Sequence, residues 1–146
     1  MIKKILLASV VLTALSGCGY KNKMYKADSK HLMDFQQMIG DRVLFDLNSA
    51  AITHTAAKTL KKQADFLKTH DMLMITVEGH CDERGTKAYN LALGEKRAKA
   101  VKDYLVAQGI EEMRITTVSY GKERPAVLGH DAEAWAKNRR SVVVIK

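Results

Sequence analysis

Proline occurs once and cysteine twice in the 146 residues. Two cysteines cannot make a disulfide framework, and one proline with 9 glycines excludes a collagenous or low-complexity chain. Aromatic residues are sparse, at 6%. Acidic residues are short too: 16 Asp and Glu face 24 Lys and Arg, a formal charge of +8. That excess favours an anionic partner (nucleic acid, anionic lipid or an acidic polymer) without choosing among them. Long apolar runs are missing. The charge-free run Ile5 to Leu15 has eleven residues, where a bilayer span needs about 20. What remains is 47% hydrophobic and 27% charged, the balance of one globular domain rather than of a disordered chain.

The short run has its own meaning. Lys3 and Lys4 precede it, and Leu15-Ser16-Gly17-Cys18 follows it. A basic start, a short apolar core and small residues make a secretory leader, and a cysteine directly after the small residues offers a thiol for lipid. The four residues resemble the bacterial lipobox; an ordinary leader with a stray cysteine is the plainer alternative. The lipobox pattern implies cleavage before Cys18, a diacylglyceryl on its thiol and a further acyl chain on its amine. At about 0.8 kcal/mol per buried methylene, two or more chains anchor stably. The expected organisation is a leader over residues 1–17, a lipidated amino terminus and tether over 18–41, and one domain over 42–146. The tether opens with the basic stretch Tyr20 to Lys26 and ends in a short helical or irregular lead-in.

Along the domain, strand and helix patterns alternate. Arg42–Leu47 predicts a strand. Ile52, Ala56, Leu60, Ala64 and Leu67 recur at helical spacing, with Asn48 or Ser49 as the expected cap. Met72–Val77 predicts a buried second strand. A second helix is expected over Tyr89–Gln108, stopped by Gly109. Met113–Tyr120 predicts a third strand, Asp131–Ala136 a short helix and Ser141–Ile145 a last strand. The order β-α-β-α-β-(short α)-β predicts a two-layer α/β sandwich: a four-stranded mixed sheet with helices on one face. Strands joined by long helices suit parallel pairing, and the last two suit antiparallel pairing. The strand order is left open.

The loop after the second strand, Gly79-His80-Cys81-Asp82-Glu83-Arg84-Gly85-Thr86, carries both charge signs and opens a helix. In open α/β sheets ligands bind at that end of the strands, and a helix start favours an anion. Arg97, about two turns into the helix, can lean back towards this end. A guanidinium suits a carboxylate and Asp82 suits an ammonium. Together they suit a zwitterion, an amine and an acid on one carbon. The alternative is a salt bridge that only braces the helix.

Five stretches now carry a resemblance. They are Val43-Leu44-Phe45-Asp46, the loop Gly79 to Thr86, Tyr89-Asn90-Leu91-Ala92-Leu93-Gly94-Glu95-Lys96-Arg97-Ala98, Tyr120-Gly121-Lys122-Glu123-Arg124-Pro125 and Asn138-Arg139-Arg140-Ser141. In this order they are similar to the OmpA-like domain family, and within it to the peptidoglycan-associated lipoproteins of Gram-negative bacteria. Cys81 departs from the threonine or alanine usual in that loop. The resemblance implies non-covalent binding of peptidoglycan through the meso-diaminopimelate of its stem peptide, which ends in such a zwitterion. Asp82 then receives the ammonium and Arg97 the carboxylate. Phe45, Asp46, Gly85, Thr86, Asn138 and Arg139 lie around them. Phe45 equally suits the core, and one of the arginines after Asn138 suits a helix C-terminus. The resemblance further implies a lipid anchor in the outer membrane, membership of the Tol-Pal system with TolB and TolA as partners, and no cofactor. Gly19 agrees with outer-membrane sorting, since the usual retention signal there is aspartate.

Two rival classes are weaker. His80, Cys81, Asp82 and Glu83 are adjacent, whereas metal ligands converge from spaced positions, and no C-x-x-C, H-E-x-x-H or G-x-S-x-G pattern occurs. The basic residues come without an aromatic platform or zinc pattern, which speaks against nucleic acid. The leader makes the first testable statement. Cys18→Ser is expected to block leader processing and release the protein from membranes, as fractionation and mass spectrometry of the processed chain would show. An unchanged outer-membrane fraction would exclude lipidation at Cys18.

Overall fold

The computed structural model describes residues 27–146; the leader, Cys18 and the tether up to residue 26 lie outside the described residues. The described chain starts with helix α1, Ser29–Met33, capped by Asp28 and continued by a π-helical turn, Asp34–Ile39. This is the expected lead-in, and it is packed: Phe35 is buried in the core. Gln63 ties its end to the next helix, donating from Nε2 to the Gly40 carbonyl at 2.7 Å.

Strand β1 is Arg42–Leu44, shorter than expected. Helix α2 spans His54–Thr69 and is capped by Thr53, whose hydroxyl accepts from the Ala56 N–H at 3.1 Å. The cap falls four or five residues later than Asn48 or Ser49, because residues 45–52 form a loop with Asn48 in the left-handed region. The apolar stripe faces the core as its spacing requires. Buried Arg114 closes the other end of α2. It donates to the Leu67, His70 and Leu73 carbonyls at 2.8–3.0 Å, supplying donors that carbonyls at and beyond a helix C-terminus lack.

Strand β2 is Ile75–His80, three residues later than expected at each end. Met72 and Met74, apolar in sequence, are exposed beside the turn. Helix α3 runs Lys87–Ala107 from a Thr86 cap. It ends at Gly109, φ +100°, where Gly109 N–H donates to the Val106 carbonyl and Ile110 N–H to the Leu105 carbonyl, the paired bonds of a Schellman motif. Strand β3 is Ile115–Gly121, helix α4 is Ala132–Asn138 capped by Asp131, and strand β4 is Arg140–Ile145.

The four strands form one mixed sheet in the order β1-β4-β2-β3. Strands β2 and β3 are parallel, and β4 is antiparallel to both β1 and β2. The last two strands do not pair: Ser141–Ile145, with three successive valines, takes a central place between its neighbours, and Thr-rich β3 takes an edge. Val43, Ile75, Val77, Val143 and Ile145 meet Leu60, Leu67, Val101 and Leu105 of the helices in one core.

Helix α3 lies unusually close to β2. A Cβ on Gly79 would run into the carbonyl oxygen of Gly94, so backbone touches backbone there. Gly79→Ala is therefore expected to destabilise the fold by about 3 kcal/mol or more, since overpacking against backbone cannot be relieved by a rotamer change. Urea unfolding checks this; a loss within the error of extrapolation would show that α3 can shift freely.

Candidate functional site

The Gly79–Gly94 contact places the next turn of α3 against the end of β2. Arg97, in the third turn, is 0% exposed. Its guanidinium donates to three main-chain carbonyls: Nε to Ser49 at 2.8 Å, Nη1 to His80 at 2.8 Å and Nη2 to Asp46 at 3.0 Å. Burial pulls the group down from its ordinary value, yet the carbonyls suit only its charged, fully protonated form. Phe45 lies 5.3 Å below it, ring to guanidinium carbon, and is part of the core. Phe45 is thus a core residue beneath the Arg97 guanidinium.

Two residues past His80, Asp82 is 5% exposed. Its ion-pair partners are Arg84, at 2.8 Å, and Arg139, at 3.4 Å. Burial alone would push its carboxyl up, but the side-chain and backbone N–H of Arg84, the charge beside them and Arg139 outweigh it and hold the group below the usual range. Arg97 and Asp82 do not bridge one another. The brace read from the sequence is made by Arg97 with carbonyls, not by that pair.

Asp82, Arg97 and Arg139 face one small cleft, closed by Leu47, Asn48, Cys81, Arg84, Asn90 and Leu93. Its volume is ≈ 20 Å³, room for about one water molecule. Across the mouth Tyr89 donates from its hydroxyl to Asn48 Oδ1 at 3.3 Å. Arg139 also donates from Nε to the Phe45 carbonyl at 3.0 Å. Arg140, not Arg139, reaches the end of α4, donating from Nη1 to the Asn138 carbonyl at 3.3 Å.

The other expected residues sit around the cleft rather than in it. Asp46 offers its carbonyl to Arg97 and keeps its side chain exposed. Thr86 caps α3 by accepting the Tyr89 N–H, and Gly85 supplies the left-handed turn before it. Asn138 holds the loop over 126–127: its Oδ1 accepts from the Ala126 and Val127 N–H groups, and its Nδ2 donates to the Val127 carbonyl. It lines a neighbouring, more apolar cavity of ≈ 320 Å³ with Pro125, Val127 and Leu128. Sequence reasoning missed Arg84 as a lining residue. The signal was its place two residues from Asp82 in a loop, the spacing of an Asx turn, whose bond from the Arg84 N–H to Asp82 Oδ1 is present at 3.1 Å.

Cys81 is buried and its thiol donates to the Asn90 carbonyl at 3.3 Å. Burial pushes the thiol up, away from the reactive thiolate. Among the described residues no group of three or more His, Cys, Asp or Glu is placed to hold a metal ion. No helix among them is long and apolar enough to cross a membrane.

With this geometry in hand, the comparisons with known proteins are direct. Residues 44–139 match the OmpA family, and the chain belongs to it, in its peptidoglycan-associated lipoprotein branch. The peptidoglycan-associated lipoprotein of Mesorhizobium japonicum is 41% identical over 97% of this chain and 90% of the relative. That of Pasteurella multocida is 41% identical over 96% and 95%. The crystal structure of the peptidoglycan-associated lipoprotein from Burkholderia pseudomallei superposes with a TM-score of 0.74 at 39% identity, covering 78% of this chain and 98% of that one.

His80 supplies a pH dependence. Its ring is buried, and burial together with the charges of Arg140, Arg124 and Arg42 lowers it from 6.5 to about 4. The unfolded chain takes up this proton near 6.5 and the folded chain only near 4. The stabilising contribution is therefore complete above about 6.5 and is lost as pH falls towards about 4, by about 1.4 kcal/mol per pH unit. Between pH 7 and 5, wild type should lose on the order of 2 kcal/mol more than His80→Gln in urea unfolding. Equal losses would show that His80 ionises normally in the folded protein. Asp82, held low, loses its share only in more acidic solution and leaves this window clear.

Proposed function

We propose that this protein ties the outer membrane to the peptidoglycan layer, with lipid on Cys18 at one end and the cleft at the C-terminal end of β2 at the other. The ligand is the meso-diaminopimelate of the stem peptide. The observation that carries the reading is one cleft lined by a buried carboxylate, Asp82, and two wall-held guanidinium groups, Arg97 and Arg139. A zwitterionic carbon offers one partner to each sign. Its ammonium would take Asp82; its carboxylate would take the remaining N–H donors of Arg97 and Arg139, since Arg97 spends three of five on carbonyls. The relatives' names support peptidoglycan as the polymer.

The role is binding and anchoring, without catalysis. Sited at the periplasmic face of the outer membrane, the protein would serve the Tol-Pal system, meeting TolB and TolA, in envelope integrity and constriction at division. Phe45, Asp46, Gly85, Thr86 and Asn138 would support the cleft through the contacts described, and Asp46 is exposed.

Co-sedimentation with peptidoglycan tests the reading. Loss of one partner of a desolvated charge typically costs about 2–5 kcal/mol, so Asp82→Ala and Arg139→Ala should each abolish most binding while circular dichroism stays native. Arg97→Lys should lose binding and also melt earlier, because an ammonium cannot reach three carbonyls at once. Wild type should bind diaminopimelate-containing peptidoglycan and not the lysine-containing kind. Folded Asp82→Ala that sediments like wild type would remove Asp82 from the site.

A further inference from the structure

The three guanidinium groups at the cleft are held differently. Arg97 and Arg139 are pinned to main-chain carbonyls and form part of its wall. Among the described residues the Arg84 guanidinium has one hydrogen-bonding partner, the Asp82 carboxylate, with Nε 3.1 Å from Oδ1 and Nη2 2.8 Å from Oδ2. Otherwise it lies over the Trp135 ring, 4.0 Å from the ring centre. Its side chain is 38% exposed, against 6% for that of Asp82. The Trp135 ring is fixed in turn, since its Nε1 donates to Glu83 at 2.9 Å. So Arg84 sits between a fixed ring and a fixed carboxylate, on the oxygens that a ligand ammonium needs. The remaining space, ≈ 20 Å³, holds about one water molecule.

We propose that Arg84 is a built-in occupant of the ammonium subsite and that ligand binds by exchange: the incoming ammonium takes the Asp82 carboxylate, and the Arg84 guanidinium leaves it. This deepens the diaminopimelate reading and rests on it. Exchange trades one ion pair for another, so no charge stays unpaired in the buried site while Arg84 moves. The released guanidinium has the solvent on one side and the indole face on the other, a stable alternative for a weakly hydrated planar cation. Arg84 thereby sets how strong a cation must be, and how well held by a carboxylate on Arg97 and Arg139, before it enters. A lone ammonium gains no such second contact and does not displace it.

The chain's single tryptophan reports the exchange. The probe is the soluble stem tripeptide L-Ala-γ-D-Glu-meso-diaminopimelate, titrated into wild type and Arg84→Ala by calorimetry and by tryptophan emission. The Asx-turn bond to Asp82 is made by the Arg84 backbone N–H and survives this substitution. Removing the competitor should tighten binding about three- to tenfold, the worth of a half-exposed, two-pronged ion pair. Binding should shift Trp135 emission in wild type as the guanidinium moves, and the shift should be lost in Arg84→Ala. Binding by wild type with equal or weaker binding by Arg84→Ala, or with an emission shift that persists in it, overturns the exchange and leaves the diaminopimelate cleft standing. No binding of the tripeptide by wild type overturns both.

Discussion

A single buried cation organises this end of the molecule. Taking a guanidinium out of water costs several kcal/mol, and Arg97 recovers it through charge-assisted bonds to three carbonyls. Those carbonyls belong to the loop after β1 and to the last residue of β2, so one side chain of α3 fastens three segments distant in sequence. It reaches them because Gly79 and Gly94 let helix and strand approach backbone to backbone. A larger residue at either position would lift Arg97 away from all three acceptors together.

The cleft inherits its electrostatics from that arrangement. Asp82 follows directly on the fixed end of β2, where burial works against its charge and the neighbouring arginines work for it. Arg139 reaches the same carboxylate from the residue just before β4, where the pairing of β4 with β1 also brings it to the Phe45 carbonyl. Asp82 is held by arginines and Arg97 by main-chain carbonyls, so both signs of charge stand at one cleft, the condition for recognising a ligand that carries both.

The sequence announces the helices well, because their signals are local. The stripe Ala56, Leu60, Ala64, Leu67 and the stop at Gly109 mean the same thing in any fold. The start of β2 was misplaced because Met72 and Met74 read as buried while the turn at Asp71 leaves them in solvent. Strand order was not legible: β4 is central because two other strands leave a gap for it, which no residue of β4 encodes. At the site, the loop and the charge types of Asp82 and Arg97 were readable. Their separate partners were not, since the three Arg97 acceptors are main-chain atoms without residue identity, and the ring under Arg84 belongs to Trp135, more than fifty residues on.

The sheet order bears on when the domain can form. Among the described residues, β4, last of the four strands, is the only strand hydrogen-bonded to β1 and the only one that joins β1 to β2. A chain still lacking residues 140–145 has a β2–β3 pair and a solitary three-residue β1. Folding must therefore await the final strand and close the longest loop in the domain, the kind of non-local step that slows a two-state reaction. Losing the whole of β4 would leave β1 without its strand partner.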